Sequence, residues 1–246
     1  MRAEVVLTAV GDLWVRAPLK RTASDDRRAL ELVGQELRRG DLCFANLEQV
    51  FSRTSLHAEK FNILKADPSL IGEVQALGIG VVSLANNHTL DCGYEGLTDT
   101  IEVLEGASIR YVGAGKNREE ARRPLTLEVN GTRITFVAFA ATLPLGSAAG
   151  PGRPGVNPLH VTTAFVVDAV LQQEQPGSMP SVVTTPLADD VKALCESIHR
   201  AKTDADFVVV SAHWGVAGQD SLAEYQPEVA HSLVEAGADA LLGHHP

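Results

Sequence analysis

Cysteine is scarce in this 246-residue chain: Cys43, Cys92 and Cys195 stand in no CxxC spacing. Neither a disulfide framework nor a thiolate metal site organises the chain, and the set fits a reducing compartment. Aromatic residues make up 5% against 45% hydrophobic, which argues against an aromatic-rich β-sandwich and for a core of aliphatic strands and helices. Positive charge is short too. The 21 Lys and Arg face 31 Asp and Glu, a formal net charge of -10, and nucleic acid is a poor main ligand because phosphates need cations to displace their counterions. No apolar run approaches the roughly 18 residues a membrane helix needs. The longest, from Ile134 to Leu145, is broken by threonines and Pro144. The first strand begins within a few residues of Met1, leaving no room for a signal peptide, so a cytoplasmic chain is expected. No internal repeat is visible. The length suits one large α/β domain, or at most two small ones.

What is present is a recurring handover from apolar strand to polar rim. Val81-Val82-Ser83-Leu84-Ala85 passes at once into Asn86-Asn87-His88. The same step occurs at Val5–Val10 into Gly11-Asp12, and at Leu42–Ala45 into Asn46-Leu47-Glu48. It returns at Phe207–Ala212 into His213-Trp214-Gly215, and at Ala238–Leu242 into Gly243-His244-His245-Pro246. A polar residue after one strand is ordinary loop entry. Five strands ending in Asp, Glu, Asn or His would instead gather oxygen and nitrogen donors at the carboxyl edge of a parallel sheet, where α/β enzymes hold their chemistry.

Between these strands the pattern turns helical. Ser24-Asp25-Asp26 reads as a helix start, with Ala29, Leu30, Val33 and Leu37 as the apolar stripe that stops at Gly40. Asp67-Pro68-Ser69 opens a second helix that Gly78 closes. Asp91 stands before a third, where it either caps that helix or orients His88. A short strand is expected at Ile109–Val112 and a helix at Arg118–Arg123. Asn130-Gly131 predicts a hairpin between Leu125–Val129 and Ile134–Phe139, antiparallel structure added to a parallel pattern. Further helices are expected at Ala188–Lys202 and Pro227–Ala236. The stretches Leu143–Pro158 and Gln175–Pro186 are rich in Pro, Gly and Ser, and suggest a covering insertion at about 143–186 between the two halves of the sheet.

The rim residues suggest a metal. Carboxylate and amide oxygens with imidazole nitrogens suit Mn²⁺, Fe²⁺ or Zn²⁺ better than a thiolate-rich zinc site. In a two-ion centre Glu48 or Asp12 could bridge, Asn87 could complete one shell, and His213 and His244 could supply nitrogens. Metal-activated water could then attack a phosphoryl or acyl centre while His88 protonates the leaving group. His57, His160, His199 and His231 read as surface or satisfied residues. Lys60 and Lys65 read as solvated, with contact to an anionic substrate as the other possibility.

At Gly11-Asp12-Leu13, Asn46-Leu47-Glu48, Asn86-Asn87-His88 with Leu90-Asp91-Cys92-Gly93, His213-Trp214-Gly215 and Gly237-Ala238-Asp239 leading to Gly243-His244-His245-Pro246, the chain resembles the CapA family. These are capsule-synthesis and poly-γ-glutamate biosynthesis proteins of the calcineurin-like metallophosphoesterase superfamily. The motifs fall in the family's order and span nearly the whole chain. The resemblance implies an α/β fold, a four-layer αββα sandwich with mixed sheets, forming one domain over 1–246. It implies two divalent transition-metal ions (Mn, Fe or Zn) held by Asp12, Glu48, Asn87, His213 and His244 or His245. His88 is implied as the acid or the transition-state stabiliser, with Asn46 and Asp91 in support and Trp214 as packing. Three departures stand out: Trp14 occupies the position of a usual second ligand, Cys92 that of a common aromatic, and the chain stops at Pro246 where the family continues with another histidine and further strands, so that a C-terminal part is expected to be missing.

Two functions fit this reading. One is a metal-dependent hydrolase acting on a phosphoester or glutamyl amide of an anionic small molecule or polymer. The other is a non-catalytic component of poly-γ-glutamate or capsule synthesis or export that binds polymer or partner proteins. Glu48 and His88 favour catalysis, since packing needs neither and both are costly to bury unpaired.

Overall fold

The computed structural model describes residues 4–19 and 24–245, without the side chains of residues 24–26. The helix-start expectation at Ser24, Asp25 and Asp26 concerns side chains outside the described residues, as does Pro246. In chain order the elements are β1 (Leu7–Leu13), α1 (Ser24–Leu37), β2 (Leu42–Leu47), β3 (Val50–Phe51) and β4 (Lys65–Ala66). Then come α2 (Ile71–Ala76), β5 (Val81–Ser83), α3 (Gly93–Gly106), β6 (Arg110–Val112), β7 (Ala114–Gly115) and α4 (Arg118–Arg122). They continue with β8 (Leu125–Val129), β9 (Thr132–Ala140), β10 (Gly155–Val156), β11 (Val161–Val166) and α5 (Ala169–Glu174). The last are β12 (Ser181–Pro186), α6 (Ala188–Asp204), β13 (Phe207–His213), α7 (Tyr225–Glu235) and β14 (Ala240–His244).

Two four-stranded sheets carry the fold. The first has the order β1-β2-β5-β6, all parallel. The second has the order β14-β13-β9-β8, in which β13 runs parallel to both neighbours and β8 is the antiparallel addition. The β8–β9 turn is Asn130-Gly131, with φ of +51° and +77°. Both central residues lie in the left-handed region that a two-residue hairpin of right-handed twist requires.

Period-2 alternation in the second sheet divides the core. Phe136, Ala138 and Val209 point toward the first sheet, whereas Val137, Phe139, Val208, Val210 and Ala212 point to the outer face under α6 and α7. Helices α2 and α3 cover the far side of the first sheet through Val74, Leu97, Ile101 and Leu104. The result is the four-layer αββα sandwich. Phe44 of β2 stacks on Phe136 of β9 across the layers, with ring centroids 5.3 Å apart and planes within 3°. Both rings are fully buried, and each such side chain stabilises the fold by about 2–3 kcal/mol.

The edge strands β1 and β14 lie against each other. The carboxyl ends of β1, β2, β13 and β14 therefore reach one rim, although they belong to two different sheets. That junction positions the site.

The Pro/Gly-rich stretch after β9 is folded. Val156 pairs with Ala114 and Gly155 with Gly115, while Asn157 receives a hydrogen from Ala140 N and gives one to Gly113 O, joining the second sheet to the end of the first. A Cβ on Gly155 would come within 2.4 Å of Ser147 O, so glycine is required there by close backbone approach. Beyond it, β11 and β12 form an antiparallel hairpin linked by α5, regular structure where the composition suggested only loop. Among the described residues no helix is long and apolar enough to cross a membrane.

Candidate metal centre

The rim is built by small local devices. The β1–β2 register slips between Val10 and Asp12, so that Gly11 is the bulged residue and Asp12 is set opposite Asn46. Asn46 is fully buried; its Nδ2 donates to Asp12 Oδ1 at 2.7 Å and lies 3.2 Å from His213 Nδ1. His213 and His244 are neighbours in the β13–β14 register. His245 then takes φ of +74°, unusual for a residue with a Cβ and costing about 1–3 kcal/mol. That turn lets its backbone N–H donate to Asp12 Oδ2 at 3.2 Å and brings its ring to 4.8 Å from that of His213.

The loop after β5 supplies the opposite wall. Asn86 is buried and templates it: Nδ2 donates to Asn46 Oδ1 and Leu47 O, and Oδ1 accepts from His88 N and Thr89 Oγ1. Asn87 is thereby held with Oδ1 at 3.1 Å from His213 Nε2. His88 turns Nδ1 onto Asp91 Oδ2 at 2.7 Å and leaves Nε2 toward the rim, 4.0 Å from Glu48 Oε1. Asp91 also accepts from Leu64 N and pairs with Lys60, whose ammonium donates to Asn87 O at 2.7 Å and lies 3.3 Å from His88 Nδ1.

Ligand atoms of Glu48, His213 and His245 all lie within 4.8 Å of one another, and Glu48 Oε1 is 3.6 Å from His213 Nε2. Beside them His244 Nδ1 is buried without a hydrogen-bond partner and faces Asp12 Oδ1 at 3.9 Å, while its Nε2 is fixed by Ser211 Oγ at 3.0 Å. Burial, then the Asp12 charge, raises the Glu48 carboxyl to about 7 despite His88 and Lys60 nearby. Burial and the neighbouring imidazoles push His213 far below its usual value, and burial also lowers His244 and His245. Three neutral imidazoles and a carboxylate awaiting a compensating charge are a donor set suited to a divalent transition metal.

Each rim residue singled out from the sequence lies in this region, but some expectations change. Asp91 does not cap α3: the cap position is Cys92, which makes no side-chain capping bond, and the Asp91 carboxylate is taken up by His88, Lys60 and Leu64. Lys60 is not a solvated lysine, being largely buried against Asp91. Lys65 is exposed and donates to Thr54 O. Trp14 is half exposed, with Arg16 over its ring at 4.7 Å. Cys92 is fully buried against Gly96, and burial raises its thiol pKa, which makes it a packing residue. His57, His160, His199 and His231 are exposed, His160 with its Nδ1 on Asp190.

Asn86 and Ser211 support the rim through hydrogen bonds that the sequence did not assign to them, and Lys60, read as solvated or as a substrate contact, instead pairs with Asp91. Of the first two, only Asn86 carried a signal, its place inside the Asn-Asn-His run. Two clefts flank the centre. One of about 490 Å³ runs along Asp12, His244 and His245 to Trp214, Gln219 and Gln226. The other, about 400 Å³, lies between Lys60, Asn87 and Tyr94 on one side and Leu145 to Ser147 on the other.

Comparison with known proteins bears on the family and the fold. The family model described as bacterial capsule synthesis protein PGA_cap matches residues 6–246. The capsule biosynthesis protein CapA of Bacillus anthracis is 30% identical across 99% of this chain and 54% of its own length. A probable polyglutamine synthesis accessory protein of Mycobacterium tuberculosis is 33% identical across 83% of this chain and 49% of its own. The chain thus spans about half the length of the curated relatives it matches. Among solved structures, a putative 5'-nucleotidase from Staphylococcus aureus superposes with a TM-score of 0.51 at 13% identity, over 98% of this chain and 44% of that one, a likeness of fold.

Proposed function

This chain belongs to the PGA_cap family of bacterial capsule synthesis proteins, and from that premise we propose that it is a metal-dependent hydrolase of capsule or poly-γ-glutamate metabolism. Its substrate is a phosphoester or glutamyl amide in an anionic small molecule or polymer. The observation that carries the reading is the convergence of Glu48, His213, His245 and Asn87 beside the His88–Asp91 pair.

The residues fit divalent ions. Glu48, His213 and His245 would hold one with Asn87 Oδ1 alongside, and Asp12 with the otherwise unpartnered Nδ1 of His244 would hold a second. An ion bound there supplies Lewis acidity, lowering the pKa of water and polarising a phosphoryl or acyl oxygen. The chain's own groups do the rest. Asp91 fixes the His88 ring through Nδ1, so that Nε2 is the atom that hands a proton to the leaving group. Lys60 balances the Asp91 carboxylate and braces the backbone of Asn87. Asn46 ties Asp12 to His213 and so fixes the spacing between the two halves of the centre. The clefts on either flank give an extended substrate room on both sides of the reacting bond.

The test is hydrolysis by the Mn²⁺-loaded chain of bis(p-nitrophenyl) phosphate, p-nitrophenyl phosphate and γ-glutamyl-p-nitroanilide. Turnover of one of them that is lost in His88→Asn, with the bound metal retained, is the expected result. A loaded protein that hydrolyses none of them while binding poly-γ-glutamate would replace this reading with a binding role.

A further inference from the structure

Trp214 packs, but its polar edge is left over. The ring lies edge-on to Phe139 and Tyr225, with centroids 5.7 Å and 6.3 Å away, and Tyr225 Oη accepts from Gly215 N, so the indole is held in one orientation. Gln226 is held as firmly. Its Oε1 accepts from Ala223 N at 2.7 Å, which commits that end of the amide and makes Nε2 the free end. Trp214 and Gln226 are only 8% and 5% exposed, and among the described residues neither the indole Nε1–H nor the amide Nε2–H has an acceptor.

Both side chains line the cleft that opens beside Asp12, His244 and His245, and two glycines of the same wall leave their donors uncovered. A Cβ on Gly243 would stand 3.4 Å from Trp214 Nε1, and one on Gly215 would stand 3.1 Å from Gln226 Nε2. Gly215 has φ of +95° and suits glycine for its backbone as well. Gly243 lies outside the left-handed region, so what glycine supplies there is space. A buried donor without a partner is costly, and ligand clefts are the places where a few such groups are kept for the ligand to satisfy.

Charge selects the acceptor. No Lys or Arg is among the described residues lining this cleft, and its carboxylates are Asp12 and Asp220. In a chain of net charge -10, a phosphate or carboxylate lying along this wall would meet no side-chain cation. Two neutral N–H donors beside acidic groups suit an uncharged oxygen instead, and the carbonyl of an amide, with two lone pairs, is such an acceptor.

We propose that Trp214 Nε1 and Gln226 Nε2 form a substrate subsite that takes amide carbonyl oxygens flanking the reacting bond. This rests on the hydrolase reading, which puts the reacting bond at the metal centre, and it narrows the substrate to the amide class. A site built to donate to a carbonyl rejects a molecule that lacks one, because its buried donors then stay unpaired.

The chain has two tryptophans, so Trp14→Phe leaves Trp214 as the single fluorophore. In that background, loaded with Zn²⁺, tri-γ-glutamate should shift the emission, whereas glutarate, which has carboxylates and no amide, should not. By calorimetry, Gly243→Ala, which covers the indole N–H, and Trp214→Phe, which removes it, should each weaken tri-γ-glutamate binding about five- to tenfold, the worth of one hydrogen bond. Glutarate affinity, zinc content and far-UV circular dichroism should stay unchanged. Gln226→Glu, which keeps the acceptor for Ala223 N and loses the donor, should weaken tri-γ-glutamate at least as much. A zinc-loaded chain that binds no tri-γ-glutamate would overturn the proposal, as would an affinity indifferent to all three variants or an equal loss for glutarate in Gly243→Ala. Turnover of bis(p-nitrophenyl) phosphate in the same preparation separates the two readings. Turnover with no effect of the variants on binding removes the subsite and keeps the hydrolase, whereas binding lost in the variants without turnover of any substrate keeps the subsite and removes the hydrolase.

Discussion

Replacing Glu48 by Gln should stabilise the metal-free protein while abolishing its response to metal. The Glu48 side chain is 14% exposed and its carboxyl is raised from 4.5 to about 7, first by burial and then by the Asp12 charge. The folded state therefore holds this proton more tightly than the unfolded chain. Stability falls as pH rises from 4.5 through 7 and the full penalty is present above 7. At 1.36 kcal/mol per pH unit, that interval amounts to a penalty of up to about 3 kcal/mol. Glutamine keeps the shape and removes the charge. Urea unfolding in EDTA should show E48Q more stable than wild type by up to about 3 kcal/mol at pH 8, with the difference shrinking toward zero at pH 5. Added Mn²⁺ should reverse the order at pH 8, because a ligand at a thousand times its Kd stabilises the native state by about 4.1 kcal/mol, more than the penalty, and only the wild type binds it well. A metal-free E48Q protein no more stable than wild type at pH 8 would refute the argument.

His88→Asn should lower kcat by about 10²–10⁴ while leaving metal content unchanged, which turnover and elemental analysis together would check. Asn46→Ala leaves Asp12 and the amide of Asn86 short of a buried partner, and should cost about 1–3 kcal/mol in urea unfolding and weaken Mn²⁺ binding in calorimetry. Gly155→Ala forces a methyl against the Ser147 carbonyl and should destabilise by about 1–3 kcal/mol, read as a lower melting temperature with the metal site intact.

The rim was legible because parallel strands deliver their carboxyl ends together, so that Asp12, Asn46, Glu48, Asn87 and His213 could be grouped from strand endings alone. The two sheets were implied by the family resemblance, but strand endings alone did not say which strand belongs to which sheet, nor that β1 and β14 meet, and that contact is what brings His244 and His245 to Asp12. Asp91 shows a local pattern overridden by tertiary structure. It precedes a helix as a cap should, yet its carboxylate gains more from the His88 ring and the Lys60 ammonium. Lys60 was read as solvated or as a contact for an anionic substrate, and its pairing with Asp91 was not legible, since a loop residue 31 positions away is placed only by the completed fold. The β11–β12 hairpin was hidden by Pro, Gly and Ser in the connection, although Val161–Val166 and Ser181–Pro186 are themselves rich in β-branched residues.

Metal content is the most direct test of the central claim. The purified chain, equilibrated with Mn²⁺ and freed of excess, should retain close to two ions by elemental analysis, and the content should fall sharply in E48Q and in His213→Ala. A wild-type protein that retains no more metal than either variant would contradict the metal centre and the hydrolase built on it.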